Sequence, residues 1–548
     1  MTEITKSITY LKEYKKLKEA LLAGKTPLLA VGLSAIHKAH LAAALGAETG
    51  RPVFVLTDDD NAANRFASDL HAFSEKPVTV LPARDLVMAD VAGVSRGYEQ
   101  KRLAALDGLP EARFAVASVQ AAALRTLPPD ALGSASVTIR TGQEAPLDGL
   151  AQELTRAGYE RCTQVEGAGQ FSVRGGILDV FPPQAEHPYR VEFWDDEVDS
   201  IATFDVGSQR RLDTAEALRC LPCMETLPAL AKGGAAGLAK AVLGLLSTRR
   251  KKHPDLAANL ERDAERLRET GGLPAADKYL PLVYPEPASA FDYLPENALV
   301  LIEDTPRLRD AARDFHARIA DDVTALLERG ELPPRLDGYA LDFASLCRVP
   351  RTVLRLDSFL NNVPELAPQH LENFVANQMN AYGGNLDMAA ADIRAYIQQG
   401  RAVAVVCGSG LRCRNMCDAL TGAGIRAAVS DLLPKGGHVS VLEGTLSAGF
   451  EYPDLGLVVM TEGQVLARRK KAPVKKSNRD RVKSFTDLMP GDLVVHEHHG
   501  IGRFVGMERM TVDGAERDFI KIAFAGTDFL YVPATSLLSL IHISTGSV

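Results

Sequence analysis

The chain has 548 residues, with 62 lysines and arginines against 70 aspartates and glutamates, for a formal net charge of -8. That length supports roughly three to five domains with separate cores, and the near balance of charge excludes a protein whose whole surface is built to hold nucleic acid. Seven cysteines spread thinly exclude a disulfide scaffold and point to a reducing compartment; the charged opening is no signal peptide, and no apolar run approaches the ~18 residues of a membrane span, so a cytoplasmic protein without a membrane partner is expected.

The first stretch, roughly 1–130, opens with a helical face (Ile8, Leu11, Tyr14, Leu17, Leu21) that ends at Gly24. Apolar runs at Pro27–Val31, Val53–Leu56, Val78–Leu81 and Phe114–Val119 alternate with helical segments, the pattern of a parallel α/β sheet. A phosphate-binding loop would occupy the turn after Val31. In the G-x-x-x-x-G-K-S/T frame, Gly32 takes the first position and Lys38 the lysine, but His37 replaces the second glycine and Ala39 the hydroxyl residue. The glycine admits close backbone approach to phosphate and the hydroxyl holds Mg²⁺; without them the site reads as a dead nucleotide site. Gly24-Lys25-Thr26 precedes the strand and is a decoy. Gly32–Ile36 brushes the nucleophile-elbow pattern, and Ile36 breaks it.

From 131 to 212 the pattern shifts to short strands at Ser136–Ile139, Gln170–Val173, Gly176–Phe181, Arg190–Phe193 and Glu197–Phe204. Helical sequence then returns (Leu238–Leu246, Leu256–Leu267), followed by a buried strand, Leu299–Ile302, ending in Glu303-Asp304. With no phosphate loop to serve, these two acids read as strand-end polar residues. Cys220-Leu221-Pro222-Cys223 is a lone pair of thiols, and a zinc site needs four ligands; no metal is expected. Between 351 and 465 a helix from Leu386, a strand Ala402–Val406, a helix Leu411–Leu420 and a strand Ile425–Val429 make a small βαβ unit. Gly408-Ser409-Gly410 reads as a turn. From Arg468 to Lys483 nine of sixteen residues are basic. Such a block is a self-repelling linker, with weak phosphate contact the alternative.

The stretch from Asp487 to Pro533 is β-rich. Runs at Leu493–His496, Gly502–Met507, Phe519–Phe524 and Phe529–Val532 alternate with turn signals at Pro490-Gly491, Asp513-Gly514 and Gly526. Asp-Gly between two such runs is a strong hairpin signal, and the spacing argues a small curled antiparallel sheet or barrel. His496, His498 and His499 fail the H-E-x-x-H pattern, because Gly500 stands where the second histidine belongs; they read as structural or interface residues.

Two stretches carry a resemblance. Arg174-Gly175, Asp179, Phe181-Pro182, Arg190-Val191-Glu192-Phe193, Asp196-Glu197 and Phe204-Asp205 resemble the UvrA-binding domain shared by UvrB and the bacterial transcription-repair coupling factors. Gly491-Asp492, Val494-Val495-His496, His499–Arg503, Gly506 and Leu530–Pro533 resemble the RNA-polymerase-interacting domain that these factors share with CarD-type regulators. Gly444–Phe450 resembles the stretch that precedes that domain.

The resemblance implies an α/β multidomain chain. A degenerate UvrB- or helicase-like parallel-sheet domain (1–130 and 213–350) carries an inserted α+β UvrA-binding domain (131–212). A small α/β domain (351–465), a basic linker (466–483), a Tudor/SH3-like antiparallel module (484–537) and an unassigned tail (538–548) follow. It further implies the recruitment half of a factor that recognises RNA polymerase stalled at DNA lesions, releases it and recruits UvrA. Arg174, Phe181 and Arg190 are the expected UvrA contacts; the plainer reading makes the arginines solvated strand charges and Phe181 core. Ile501, Arg503, Phe504 and Met510 are the expected contacts with the polymerase β subunit, the apolar ones because a small sheet cannot bury them all. ATP and Mg²⁺ are expected only for a motor that would follow, as is binding to double-stranded DNA, so no catalytic or cofactor residue is assigned and the chain alone is expected to be inactive. A UvrB-like excision component and a stand-alone CarD-like regulator are the alternatives. The interrupted phosphate loop and the CarD-like module weigh against the first, the first 350 residues against the second. The ending LLSLIHISTGSV is expected to lie outside the module, as a truncated or mis-assembled frame would.

Overall fold

The computed structural model describes the chain except residues 1, 90–95, 247–253, 335, 349–350, 380, 384, 435–436, 467–478, 482–492, 497–499, 513–514, 524–528, 534–539 and 544–548. In the C-terminal strands it describes side chains at 493, 503–506 and 521–523. The chain forms two compact units, Met1–Val465 and Leu466–Val548.

The first unit is built on a seven-stranded parallel sheet. Its strands lie in the order His370–Asn373, Leu28–Val31, Thr352–Asp357, Leu299–Glu303, Val53–Thr57, Phe114–Ser118 and Thr79–Leu81. The central strands are buried along almost their whole length, as expected of a parallel sheet covered on both faces. Alternate residues divide between two cores. Leu28, Val53, Val55, Val116, Leu301 and Leu354 pack under the helices Lys12–Leu22, Ala35–Thr49 and Asp60–Ser74. Phe54, Leu56, Ala115, Ala117, Val300 and Ile302 face the opposite core, with the helices Gly234–Gly244, Pro254–Thr270 and Thr305–Glu328. Two strands come from beyond residue 350, Thr352–Asp357 and His370–Asn373, and both flank Leu28–Val31. The parallel sheet therefore draws on chain that the sequence places in the next domain.

The small βαβ unit is larger than its sequence suggests. It is a six-stranded sheet ordered Asn377–Gln378, Phe450–Tyr452, Leu457–Thr461, Ala402–Cys407, Val439–Glu443, Ala427–Val429. Its residues Val406, Leu442, Phe450, Tyr452 and Val459 belong to the same core as Leu28 and Leu354 of the first sheet.

The insert leaves and re-enters through an antiparallel pair, Val137–Arg140 with Ala217–Cys220. Between them stand the helix Leu147–Arg156 and a six-stranded sheet: Arg211–Ala215, Glu197–Phe204, Tyr189–Trp194, Ile177–Val180, Gln170–Arg174 and Glu160–Arg161. One face of this sheet packs with the helix over a core of Phe171, Leu178, Val180, Val191, Val198 and Ile201. At its exit the insert meets a buried ion network. Arg84 donates to Glu225 at 2.6 Å and to Asp277 at 2.6 Å, and Arg102 Nε lies 3.2 Å from Glu225. The Glu225 backbone N–H donates to Glu99 at 2.7 Å, and the Thr226 hydroxyl to Asp277 at 2.7 Å.

The second unit is an antiparallel sheet ordered Arg479–Arg481, Leu540–Ile543, Leu493–His496, Gly500–Val512, Ala515–Ala523 and Phe529–Pro533. The expected hairpin is present: Val512 pairs Ala515. Two expectations change here. Leu540–Ile543 pairs with Leu493–His496 and with Arg479–Arg481, so part of the expected tail belongs to the sheet. Part of the expected linker does too. Among the described residues no helix is long and apolar enough to cross a membrane.

Candidate functional site

The strand-turn-helix at Leu28–Thr49 has the shape of a phosphate loop but not its interior. Gly32 adopts φ +83°, and a Cβ there would collide with the Phe374 carbonyl. The Phe374 N–H donates to the Val31 carbonyl at 2.9 Å, so the segment leaving the edge strand lies against the glycine turn. His37 is fully buried; its Nδ1 is 2.8 Å from the Ser34 hydroxyl, and its ring meets Phe450 and Tyr452 edge-on at 5.4 and 5.1 Å. Burial drives its pKa down to about 3. Lys38 is 2 % exposed, with Nζ 3.7 Å from Glu303 and 3.5 Å from the Ser358 hydroxyl. Burial raises the Glu303 pKa, against the opposing charge of Lys38. Ala39 is core. The strand-end acid Glu303 is thus the partner of the loop lysine, a pairing that two segments so far apart in sequence did not disclose. Among the described residues no cluster of histidine, cysteine and acidic groups could hold a metal ion.

The outer face of the inserted sheet gathers two of the three expected UvrA residues. Asp179 lies opposite Arg190 in the register and is 1 % exposed. It accepts Arg190 Nε at 2.7 Å, Arg190 Nη2 at 2.9 Å and Arg174 Nη2 at 2.7 Å. Arg190 also donates to Gln209 at 3.1 Å and lies with Cζ 4.6 Å from the Phe204 ring centroid. The bond to Asp179 raises the Arg190 pKa above the ordinary arginine value. The Arg174 side chain is half exposed and that of Arg190 about a quarter. Phe181, two residues past Asp179, is half-buried, its N–H donating to the Gln170 carbonyl. Glu192 extends the polar row, accepting the Ser200 hydroxyl at 2.8 Å. One residue escaped notice: Trp194, the chain's single tryptophan, is 81 % exposed at the hairpin tip beside Asp195 and Asp196. Its signal was its own rarity beside an acidic two-residue turn.

In the C-terminal sheet the expected polymerase residues divide. Phe504 is 4 % exposed and pairs with the fully buried Ile522. It is therefore packed inside the sheet, where strand alternation turns it, while Arg503 and Val505 are exposed. Val505 is the extra residue of a bulge: Phe504 pairs Ile522, but Gly506 pairs Lys521. A bulge shifts the alternation by one. Met510 stands in register with Arg517. The side chains of Ile501 and Met510 lie outside the described residues, as do His498, His499 and the Asp513-Gly514 turn.

Comparison with known proteins matches these two surfaces to two families. Residues 137–225 match the UvrB interaction domain, and residues 488–544 the CarD-like/TRCF RID domain. The second match runs past 537 and takes in Leu540–Ile543, which corrects the expectation that the ending has no family counterpart. Along its length the chain is 32% identical over 549 residues to a transcription-repair-coupling factor of Bacillus subtilis, covering 96% of this chain and 46% of the relative. It is 24% identical over 547 residues to that of Staphylococcus aureus strain MRSA252, covering 94% and 45%.

Along nearly its whole length the chain is similar to transcription-repair-coupling factors, and it carries both matched domains.

It spans about half the length of the curated relatives it matches. In this chain the buried loop at Gly32–Ala39 packs against the second sheet of the first unit, and Arg174 and Arg190 present ordered charge on the insert.

Proposed function

We propose that this chain is a recruitment platform for transcription-coupled nucleotide excision repair. The inserted domain binds UvrA through the face that holds Arg174 and Arg190. The C-terminal module, curled as a Tudor/SH3-like barrel, binds RNA polymerase through its β subunit at the hairpin Gly500–Ala523. The observation that supports this best is the presence of both matched domains in one chain. The parallel sheet and its small companion are a UvrB-like, helicase-like body that has given up nucleotide. With Phe374 against Gly32 and Lys38 tied to Glu303, it takes neither ATP nor Mg²⁺. Release of stalled polymerase by an ATP-driven motor on double-stranded DNA is the activity of the whole factor. The basic run 468–483 adds at most weak phosphate contact.

The test is retention on the immobilised chain. UvrA and core RNA polymerase should each be held. Arg174→Glu with Arg190→Glu should release UvrA alone, since like charge across an interface costs several kcal/mol; Met510→Arg should release polymerase alone. Retention of neither partner by the parent chain would sink the reading.

A further inference from the structure

A carboxylate buried on a sheet face is costly unless charged donors fill its lone pairs. Asp179 is such a group, and three N–H donors from two arginines on flanking strands fill it. Arg190 is fixed again by Gln209 and by the Phe204 ring. Arg174 reaches the same carboxylate from the neighbouring strand, across the Phe171–Arg174 and Ile177–Val180 hairpin. One negative and two positive charges leave this triad with a net charge of +1. Arg174 Nε and Nη1 and Arg190 Nη1 remain uncommitted to Asp179. Guanidiniums held in a fixed fork match carboxylates better than freely moving ones, because less freedom is lost on binding.

We propose that Asp179 is the positioning residue of this surface: it sets Arg174 and Arg190 side by side as one prearranged clamp for carboxylates on the partner. This rests on the UvrA reading of the insert. The clamp makes a prediction opposite in sign to simple charge counting. Removing the charge of Asp179 makes the face more positive, so attraction by net charge alone would tighten an acidic partner. Loss of the clamp loosens it.

The experiment measures the Kd of UvrA for the full chain by biolayer interferometry, with thermal melts of each variant. Asp179→Asn should weaken UvrA by about tenfold or more with an unchanged melt. On the Arg174→Ala/Arg190→Ala background it should have no further effect. Arg190→Lys keeps the charge but not the fork, and should weaken binding too; it serves if Asp179→Asn fails to fold. Unchanged or tighter binding by Asp179→Asn, full additivity with the arginine changes, or parental binding by Arg190→Lys would each overturn the clamp. If the parent chain binds UvrA and the Asp179 variant is silent, only the clamp falls. If the parent does not bind UvrA at all, the reading beneath falls with it.

Discussion

The joint between the two sheets of the first unit should be acid-labile, and the perturbation that shows it is His37→Gln with His40→Gln. His40 is fully buried, its Nε2 2.9 Å from the Thr5 carbonyl and its Nδ1 3.1 Å from the Tyr452 hydroxyl, and it stacks on Phe73 at 4.5 Å. Those partners assign the proton to Nε2. Burial lowers the His40 pKa to about 4 and that of His37 to about 3, the latter with help from the neighbouring His40. Both values lie below the 6.5 of an unfolded histidine. The unfolded state therefore binds more protons, and the stability these rings contribute is complete above pH 6.5 and lost as pH falls toward the folded values. At pH 5 each histidine costs roughly 2 kcal/mol relative to pH 7.5, about 4 kcal/mol for the pair if they act independently. That is a large fraction of the roughly 5–15 kcal/mol that holds a domain. Amide hydrogen exchange of the helix Ala35–Thr49, corrected for intrinsic rate, reads the local opening energy directly. The parent should lose protection between pH 7.5 and 5. The double variant starts less stable but should lose several kcal/mol less over the same interval. Equal losses in the two proteins would refute the assignment.

Three further outcomes follow from the same geometry. Glu225→Ala removes the carboxylate shared by Arg84 and Arg102, leaving Arg84 on Asp277 but the fully buried Arg102 guanidinium without its carboxylate; it should destabilise the first unit by about 3–5 kcal/mol, read as a lowered melting temperature. Phe504→Ala should destabilise the C-terminal sheet by about 3–5 kcal/mol, as core aromatics do, whereas Met510→Arg should leave its melt intact; parental stability of Phe504→Ala would return Phe504 to the surface. Rebuilding the phosphate loop by His37→Gly with Ala39→Thr should not create saturable ATP binding in calorimetry, because the Phe374 carbonyl still lies against Gly32; measurable binding would show that the two side chains alone had closed the site.

Most of the parallel sheet was legible because its strands are short, uninterrupted apolar runs between turn signals. Thr352–Asp357 was not, because it carries Arg355 within it and ends on Asp357. The two are fully buried and pair at 2.6 Å, so the ionic pair erases the apolar signature that marks its neighbours. His370–Asn373 is a polar edge strand, with no hydrophobic pattern to find. The second sheet hid Val439–Glu443 and Phe450–Tyr452 for a related reason: Ser440 and Glu443 in the first and Glu451 in the second interrupt the apolar run. In the insert, Arg174 and Arg190 were legible as residue types, but their common partner is a register fact that only strand pairing reveals. Alternation in the C-terminal strand separated its faces without saying which was inside, and the bulge at Val505 then reversed the order.

The first unit is held together by two joints of different chemistry, and acid should separate them. The joint between the sheets is apolar and aromatic, with neutral histidines at its centre. It weakens once the pH falls below 6.5. The anchor of the insert is ionic. Burial opposes the charge of Asp277, but the Arg84 guanidinium and the surrounding donors prevail and hold its pKa below the ordinary aspartate value. Stability from Asp277 is therefore present above the unfolded value near 3.9 and is lost only as pH falls through the lower folded one. Glu99 runs the other way: burial raises its pKa, so protonation favours the folded form there and does not loosen the anchor. The sheets should thus begin to part at a pH where the insert is still fixed by Arg84, Arg102, Glu225 and Asp277. The surface proposed to bind UvrA depends on the second joint and on Asp179, not on the first. UvrA binding by the chain should accordingly outlast, on acidification, the protection of the helix Ala35–Thr49.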